Sequence, residues 1–283
     1  MRGERVLQEV NTPLAGPELA EDYALTPEQI AGYQQNGHIL LRQLANQAEM
    51  DYYRPVIREA AYHYNTETRP LSERDTYGRA FLQIMNLWVR DERVARFVMA
   101  RRFARVAAEL MGVKGVRIYH DQALFKEAHG GPTPWHQDQY YWPLVTDNFV
   151  TMWMPLTDVA AEMGPMTFAS GSHKLGYLGK VPISDESQAI FERFISEKQL
   201  SLKYGEPMRA GDATFHAGWT LHGTPANTTD RPREAMTIIY FADGVRIGET
   251  DNRNRVNDLN SWLPGLKTGD IAASKLNPLV YNS

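Results

Sequence analysis

The chain changes texture at Gly115, and this constrains its fold more than any other feature. Before that point apolar residues recur at helical spacing. After it they come in short runs rich in β-branched and aromatic residues, separated by turn residues. Thr26-Pro27-Glu28-Gln29 reads as a helix start: Thr26 caps, Pro27 suits the first helical position, and Gln29 stands where a capping box places it. Gly37 ends that helix, and 38–41 is a short strand. A second helix is predicted over 47–64 and a third over 91–111, closed by Gly112. Beyond Gly115, residues 116–126, 148–156, 165–168, 213–216 and 234–241 read as strands. Residues 184–198 read as a helix capped by Ser184. Residues 1–25 form an irregular lead, and 243–283 a polar tail with turn signals. Many short strands behind a helical third predict a mainly β fold with flanking helices, an antiparallel barrel or jelly roll. No repeat or linker divides it. A single domain over 1–283 is expected, with a mostly helical part at 1–112, a barrel core at 113–242 and a C-terminal extension at 243–283.

Composition narrows the function. The chain has 283 residues, 43% of them hydrophobic, enough for a large core. Thirty Lys and Arg stand against 34 Asp and Glu, a net charge of -4, which argues against a nucleic-acid partner. There is no cysteine, so disulfides, thiolate zinc sites and cysteine nucleophiles are excluded. Residues 1–11 are charged and carry no apolar signal core, and no run of about 18 apolar residues exists. The expectation is a soluble, cytoplasmic protein that acts on a small molecule and does not engage a membrane.

Trp135-His136-Gln137-Asp138 then stands out. In an extended strand, residues two apart point to the same face, so His136 and Asp138 can reach one point in space. A His-x-Asp pair is common by itself. With a second histidine it becomes the two-histidine, one-carboxylate set that holds non-haem Fe(II) and leaves positions open. His38 and His63 fall in the helical third and read as packing or surface residues. His173, in a Ser-Gly-Ser-His loop, reads as a hydrogen-bonded structural residue. His216 and His222 remain as candidates for the third ligand. After His222 come Arg231 and Arg233, just before the strand at 234. An arginine there is either a solvated charge or a bidentate grip on a carboxylate co-substrate.

Taken in order, these residues resemble the phytanoyl-CoA dioxygenase (PhyH) family of Fe(II)/2-oxoglutarate-dependent oxygenases. The matching features are Trp135-His136-Gln137-Asp138, the run 150–158 (VTMWMPLTD), Gly164-Pro165-Met166 and Gly171-Ser172-His173-Lys174. They continue with Gly211-Asp212, Phe215-His216, Leu221-His222-Gly223-Thr224-Pro225-Ala226-Asn227, Arg233, Asp243-Gly244 and Trp262-Leu263-Pro264-Gly265. Each is weak alone; their order and spacing carry the resemblance over about 25–280. The resemblance implies a double-stranded β-helix (jelly-roll, cupin-like) core, with iron held by His136, Asp138 and His222. It implies that Arg233, eleven positions after His222, grips 2-oxoglutarate, with Thr224, Lys126 and Thr151 lining the same pocket, and that O2 is the second co-substrate. His216 is then structural. Related halogenases replace the carboxylate by a small residue, so Asp138 implies hydroxylation.

Gln137 is a candidate for steadying the imidazoles or touching substrate. Tyr140 and Trp142 follow the metal motif in what reads as a loop at the barrel mouth, and are candidates for a substrate wall. Trp153 reads either as that wall or as barrel core. Residues 71–77 and 243–258 read either as a lid or as plain surface. Two rival classes remain. A non-oxidative metal enzyme on a cupin-like barrel would use the same three ligands without needing Arg233. A non-catalytic binding member of the fold would be expected to have lost a ligand or the arginine.

Overall fold

The computed structural model of the protein describes residues 16–179 and 181–283, so the charged stretch 1–11 and most of the irregular lead lie outside the described residues. The helical third opens with α1 (Pro27–Asn36), fixed by a capping box between Thr26 and Gln29 and ended by Gly37 in the left-handed conformation, φ 78°. β1 (His38–Leu41) and α2 (Gln47–Tyr64) follow, α2 started by a second capping box between Asn46 and Glu49. Next come α3 (Thr76–Ala80) and β2 (Leu82–Met85), two short elements the sequence analysis did not anticipate.

The single helix expected over 91–111 is two, α4 (Glu92–Val98) and α5 (Arg101–Met111), broken at Met99 and Ala100. Apolar residues keep a helical period on both sides of the break, and no Gly or Pro marks it, so the pattern reads as continuous. In the resulting arrangement the Arg102 guanidinium reaches the buried Glu49 carboxylate at 2.8 and 2.9 Å and the carbonyls of Glu21 and Leu44 at 2.7 and 3.1 Å. Removing one partner of a buried pair like this costs about 3–5 kcal/mol.

The strands follow: β3 (Gly115–Lys126), β4 (Thr133–His136), β5 (Phe149–Pro155) and β6 (Thr167–Ala169), then α6 (Asp185–Glu197), capped by Ser184 as expected, and β7 (Leu202–Lys203). β8 (Ala213–Ala217), β9 (His222–Thr224) and β10 (Arg233–Ala242) complete the central strands. The expected polar tail contains α7 (Arg253–Trp262), capped by Asn252, and β11 (Leu279–Asn282). α7 buries no residue fully and so has no apolar stripe to betray it, and β11 is only four residues long.

Described strands form two antiparallel sheets. The larger runs β1-β8-β5-β10-β3-β11, with β2 also paired to β3; the smaller runs β4-β9-β6-β7. This is the jelly-roll core the sequence implied. Alternation along the larger sheet sorts its side chains. Val150, Met152 and Met154 on β5, and Met236, Ile238 and Tyr240 on β10, join a core with α2, α4 and α5. The intervening Thr151, Trp153, Arg233 and Thr237 line a cavity whose other wall carries Thr133, His136, His222 and Thr224 of the smaller sheet. One face of the larger sheet thus packs on helices, while the other faces the site.

Candidate active site

β4 and β9 are neighbours, and their register pairs His136 with His222. The two imidazoles therefore lie side by side, ring centroids 4.1 Å apart. Asp138 does not extend the strand as expected. β4 stops at His136, Gln137 keeps an extended backbone, and Asp138 opens a single 3-10 turn at Asp138–Tyr140. The turn still delivers the carboxylate: Asp138 Oδ1 is 3.4 Å from His136 Nε2 and 3.6 Å from His222 Nε2. One ligand atom from each of the three residues falls within 4.8 Å of the others.

The surroundings fix which atoms face inward. His136 Nδ1 lies 2.8 Å from the Pro134 carbonyl, and His222 Nδ1 2.9 Å from that of Thr220. A carbonyl only accepts, so each Nδ1 carries a proton and each Nε2 is the ring atom left to face inward. Asp138 Oδ2 accepts from Thr151 Oγ1 at 3.0 Å and from His216 Nε2 at 3.2 Å, leaving Oδ1 for the convergence point. Burial acts to raise the Asp138 carboxyl. The neighbouring His222, His136 and His216 outweigh it and hold the group well below the usual carboxylate range. Burial, with His136 and His216 nearby, holds His222 well below its ordinary value. One carboxylate and two imidazoles with Nε2 turned inward make up the donor set a divalent metal requires.

Arg233, on the first residue of β10, is almost fully buried, 1% exposed, and lines the same cavity. Burial pushes its guanidinium down to about 9, which leaves it charged at neutral pH. It donates through Nη1 to the Gly164 carbonyl and lies 5.1 Å over the Trp153 ring, while its Nε has no partner. Beside it is Lys126, fully buried, pushed down to about 6 by burial and by Arg233. Among the described residues neither group is paired with a carboxylate, and of the two only Arg233 keeps its charge at neutral pH. A buried, unpaired positive end is costly unless an anion fills it. Two donors about 2.1 Å from a shared ion, at roughly right angles or a little wider, stand about 3.0–3.4 Å apart, close to the spacing seen at Asp138. The residues present therefore fit both a metal ion and a carboxylate co-substrate.

The other sequence candidates are placed as follows. Thr151 and Thr224 line the cavity, but Thr151 serves Asp138, and Thr224 Oγ1 donates to Thr133 Oγ1 at 3.0 Å. Lys126 Nζ donates to the Gly131 carbonyl and is not among the cavity-lining residues. Gln137 turns away from the cavity: its Nε2 donates to the carbonyls of Gly176 and Trp219, and its Oε1 accepts from Leu178, pinning those loops. Tyr140 also lies off the lining, stacked 6.4 Å from Tyr177, whereas Trp142 and Trp153 are on it. Tyr77, Gln83, His120, Gln122, Asp258 and Trp262 are also part of the wall and were not singled out as site residues. Tyr77 and Asp258 close the two segments that offered a lid reading. Trp262 opens the Trp262-Leu263-Pro264-Gly265 motif of the resemblance, but nothing in the local sequence marks Gln83, His120 or Gln122 as cavity residues. His216 had been read as merely structural; its hydrogen bond to Asp138 shows which structure it maintains.

The profile of the phytanoyl-CoA dioxygenase (PhyH) family matches residues 33–235, well over half of the chain. The chain belongs to this family of Fe(II)- and 2-oxoglutarate-dependent oxygenases. Among its relatives is a probable alpha-ketoglutarate-dependent hypophosphite dioxygenase of Stutzerimonas stutzeri, 28% identical over 63% of the chain; the match spans only 60% of that relative's own length. A methylphosphonate hydroxylase of Gimesia maris is 22% identical over 77% of the chain and 81% of its own. Among solved structures, the epimerase SnoN in complex with Fe3+, alpha ketoglutarate and nogalamycin RO is 26% identical. It superposes with a TM-score of 0.74, covering 89% of this chain and 97% of that one. The proteins this chain is similar to thus differ in the substrates and reactions that their names give.

Proposed function

We propose that the protein is an Fe(II)- and 2-oxoglutarate-dependent oxygenase that hydroxylates a C–H bond of a small organic metabolite. One observation carries the reading. Three metal-binding donor atoms converge at one place in the cavity, and a buried guanidinium with a free N–H stands in the same cavity. In this reading His136, Asp138 and His222 hold the iron, and Arg233 grips the far carboxylate of 2-oxoglutarate, with Thr224 on the same cavity wall and the buried Lys126 amine next to Arg233. With both bound, O2 and 2-oxoglutarate are consumed, succinate and CO2 leave, and substrate C–H becomes C–OH.

The chain's own residues supply positioning. Thr151 and His216 occupy one oxygen of Asp138 and keep the carboxylate from rotating. The Pro134 and Thr220 carbonyls set the planes of both imidazoles. Trp153 stacks on Arg233 and fixes the plane of its fork, which matters because bidentate recognition is directional. Apolar side chains of the wall exclude water, which strengthens every charge interaction inside. The cavity of about 270 Å³ is small for a ligand site, commonly about 300–1,000 Å³, which favours a compact substrate.

The test is succinate formation from 2-oxoglutarate under air with Fe(II) and ascorbate, alongside 2-oxoglutarate binding without turnover. Binding and slow succinate release are expected even without substrate. Absence of both overturns the reading and favours a non-oxidative metal enzyme on the same barrel.

A further inference from the structure

The cavity wall contributed by α7 carries an acid that the proposed reaction does not use. Asp258 lines the cavity; its Oδ2 accepts from Tyr119 Oη at 2.9 Å, and the Trp262 indole, one turn further along α7, lies beside it. Among the described residues no Lys or Arg forms an ion pair with it. Arg255 is the basic group nearest in sequence, but it is held by Asp251 and by the Tyr140 carbonyl, each at 3.3 Å. Burial, only partly offset by its two donors, pushes the Asp258 carboxyl up to about 7. Anchoring α7 to Tyr119 explains one oxygen of this group. It does not explain why an acid stands among aromatic rings.

Those rings form the second observation. Trp262, Trp142, Tyr141 and Tyr77 line the cavity with Asp258. Tyr77 and Tyr141 line the same cavity as Asp138 and Asp258, and burial, helped by these two acids, raises both phenols. Aromatic faces attract cations, and more strongly where water is excluded. Arg233, charged at neutral pH, also lines the cavity, so a substrate cation is repelled from that part.

We propose that Asp258, with Trp262, Trp142, Tyr141 and Tyr77, forms a subsite for an ammonium group of the substrate. Substrates are then small amines or quaternary ammonium compounds, held by their positive group at α7 with a neighbouring carbon turned toward His136, Asp138 and His222. The proposal rests on the oxygenase reading for what happens to that carbon, but not for binding itself.

Binding is measured on the full chain loaded with 2-oxoglutarate and a redox-inert divalent ion, by tryptophan fluorescence and thermal shift. The probes are choline against its neutral isostere 3,3-dimethyl-1-butanol, and benzylamine against benzyl alcohol. At least one cation is expected to bind about tenfold or more tighter than its neutral partner. Asp258→Asn keeps the acceptor for Tyr119 and removes the charge, so it is expected to erase that preference; Trp262→Leu is expected to weaken the cation and not the alcohol. Equal binding within both pairs, no cation binding, or an unchanged preference in Asp258→Asn overturns the proposal. 2-Oxoglutarate titrated alone reads the parent proposal separately. If it fails to bind while cation selectivity holds, the oxygenase reading falls and the ammonium subsite stands.

Discussion

His136, Asp138 and His222 sit where two paired strands and one tight turn leave their side chains little choice. Each atom not aimed inward is already hydrogen-bonded, to Pro134, Thr220, Thr151 or His216. Tyr77, Asp258 and Trp262, on another wall of the same cavity, come from two short peripheral helices, α3 and α7, neither of which is part of the sheets. The comparison teaches a division of labour. Groups that must be placed within a fraction of an ångström are held by sheet backbone and a tight turn, while the wall to which a substrate subsite is assigned above is carried by helices outside the sheets.

Replacing a ligand gives the largest expected effect. Asp138→Ala or His222→Ala should abolish iron-dependent succinate formation while circular dichroism and the unfolding transition stay cooperative. Substantial turnover in either variant would remove that residue from the site and with it the rigid half of the comparison.

Arg233 comes next. A charge-assisted contact to a buried carboxylate is worth about 1.5–3 kcal/mol, so Arg233→Ala should raise the KM for 2-oxoglutarate roughly 10–150-fold. The iron requirement should change far less. Normal 2-oxoglutarate dependence in this variant would move the grip elsewhere, with Arg231 the next arginine in sequence.

The rigid end was also the legible end. His136-x-Asp138 could be read from its spacing; spacing left His216 and His222, and Arg231 and Arg233, undecided, and it was the resemblance to the PhyH family that pointed to His222 and Arg233. Even there the reading of Asp138 as strand was wrong, since a 3-10 turn brings the same atom to the same place and a four-residue motif cannot tell them apart. Gln137, adjacent to both ligands in sequence, points the other way to pin Gly176 and Trp219, which no spacing rule reveals. Around the rest of the wall the signal was absent. α7 fully buries none of its residues, so it lacks the periodic stripe by which a helix is recognised, and Asp258 reads as one more acid in a polar tail.

Thr151 sharpens the comparison at a smaller scale. Thr151→Val removes one donor to Asp138 Oδ2 and leaves the other, from His216. Residues that hold metal ligands typically contribute about 10–100-fold in metal affinity. With a partner remaining, the loss should lie at the low end, about tenfold, in an anaerobic Fe(II) titration. His216→Gln should behave alike, and the double variant should lose more than the sum of the two, because only then is the carboxylate free to turn. Additive losses would mean that the two contacts do not share one task.

Tyr77→Phe should produce the smallest effect, and the one most confined to the adaptable wall. Tyr77 Oη donates to Gln83 Oε1 at 3.0 Å, and Gln83 Nε2 donates on to Gln122 Oε1 at 2.7 Å. Losing one neutral hydrogen bond costs about 0.5–1.5 kcal/mol, or roughly 2–13-fold. If this wall serves the substrate alone, that loss should appear in the KM for substrate and leave the KM for 2-oxoglutarate and the Fe(II) affinity unchanged. If the two walls are instead coupled through the electrostatic reach of Tyr77 to both Asp138 and Asp258, all three constants should move together. That result would replace the picture of a fixed end and an adaptable end with one of a single interdependent site.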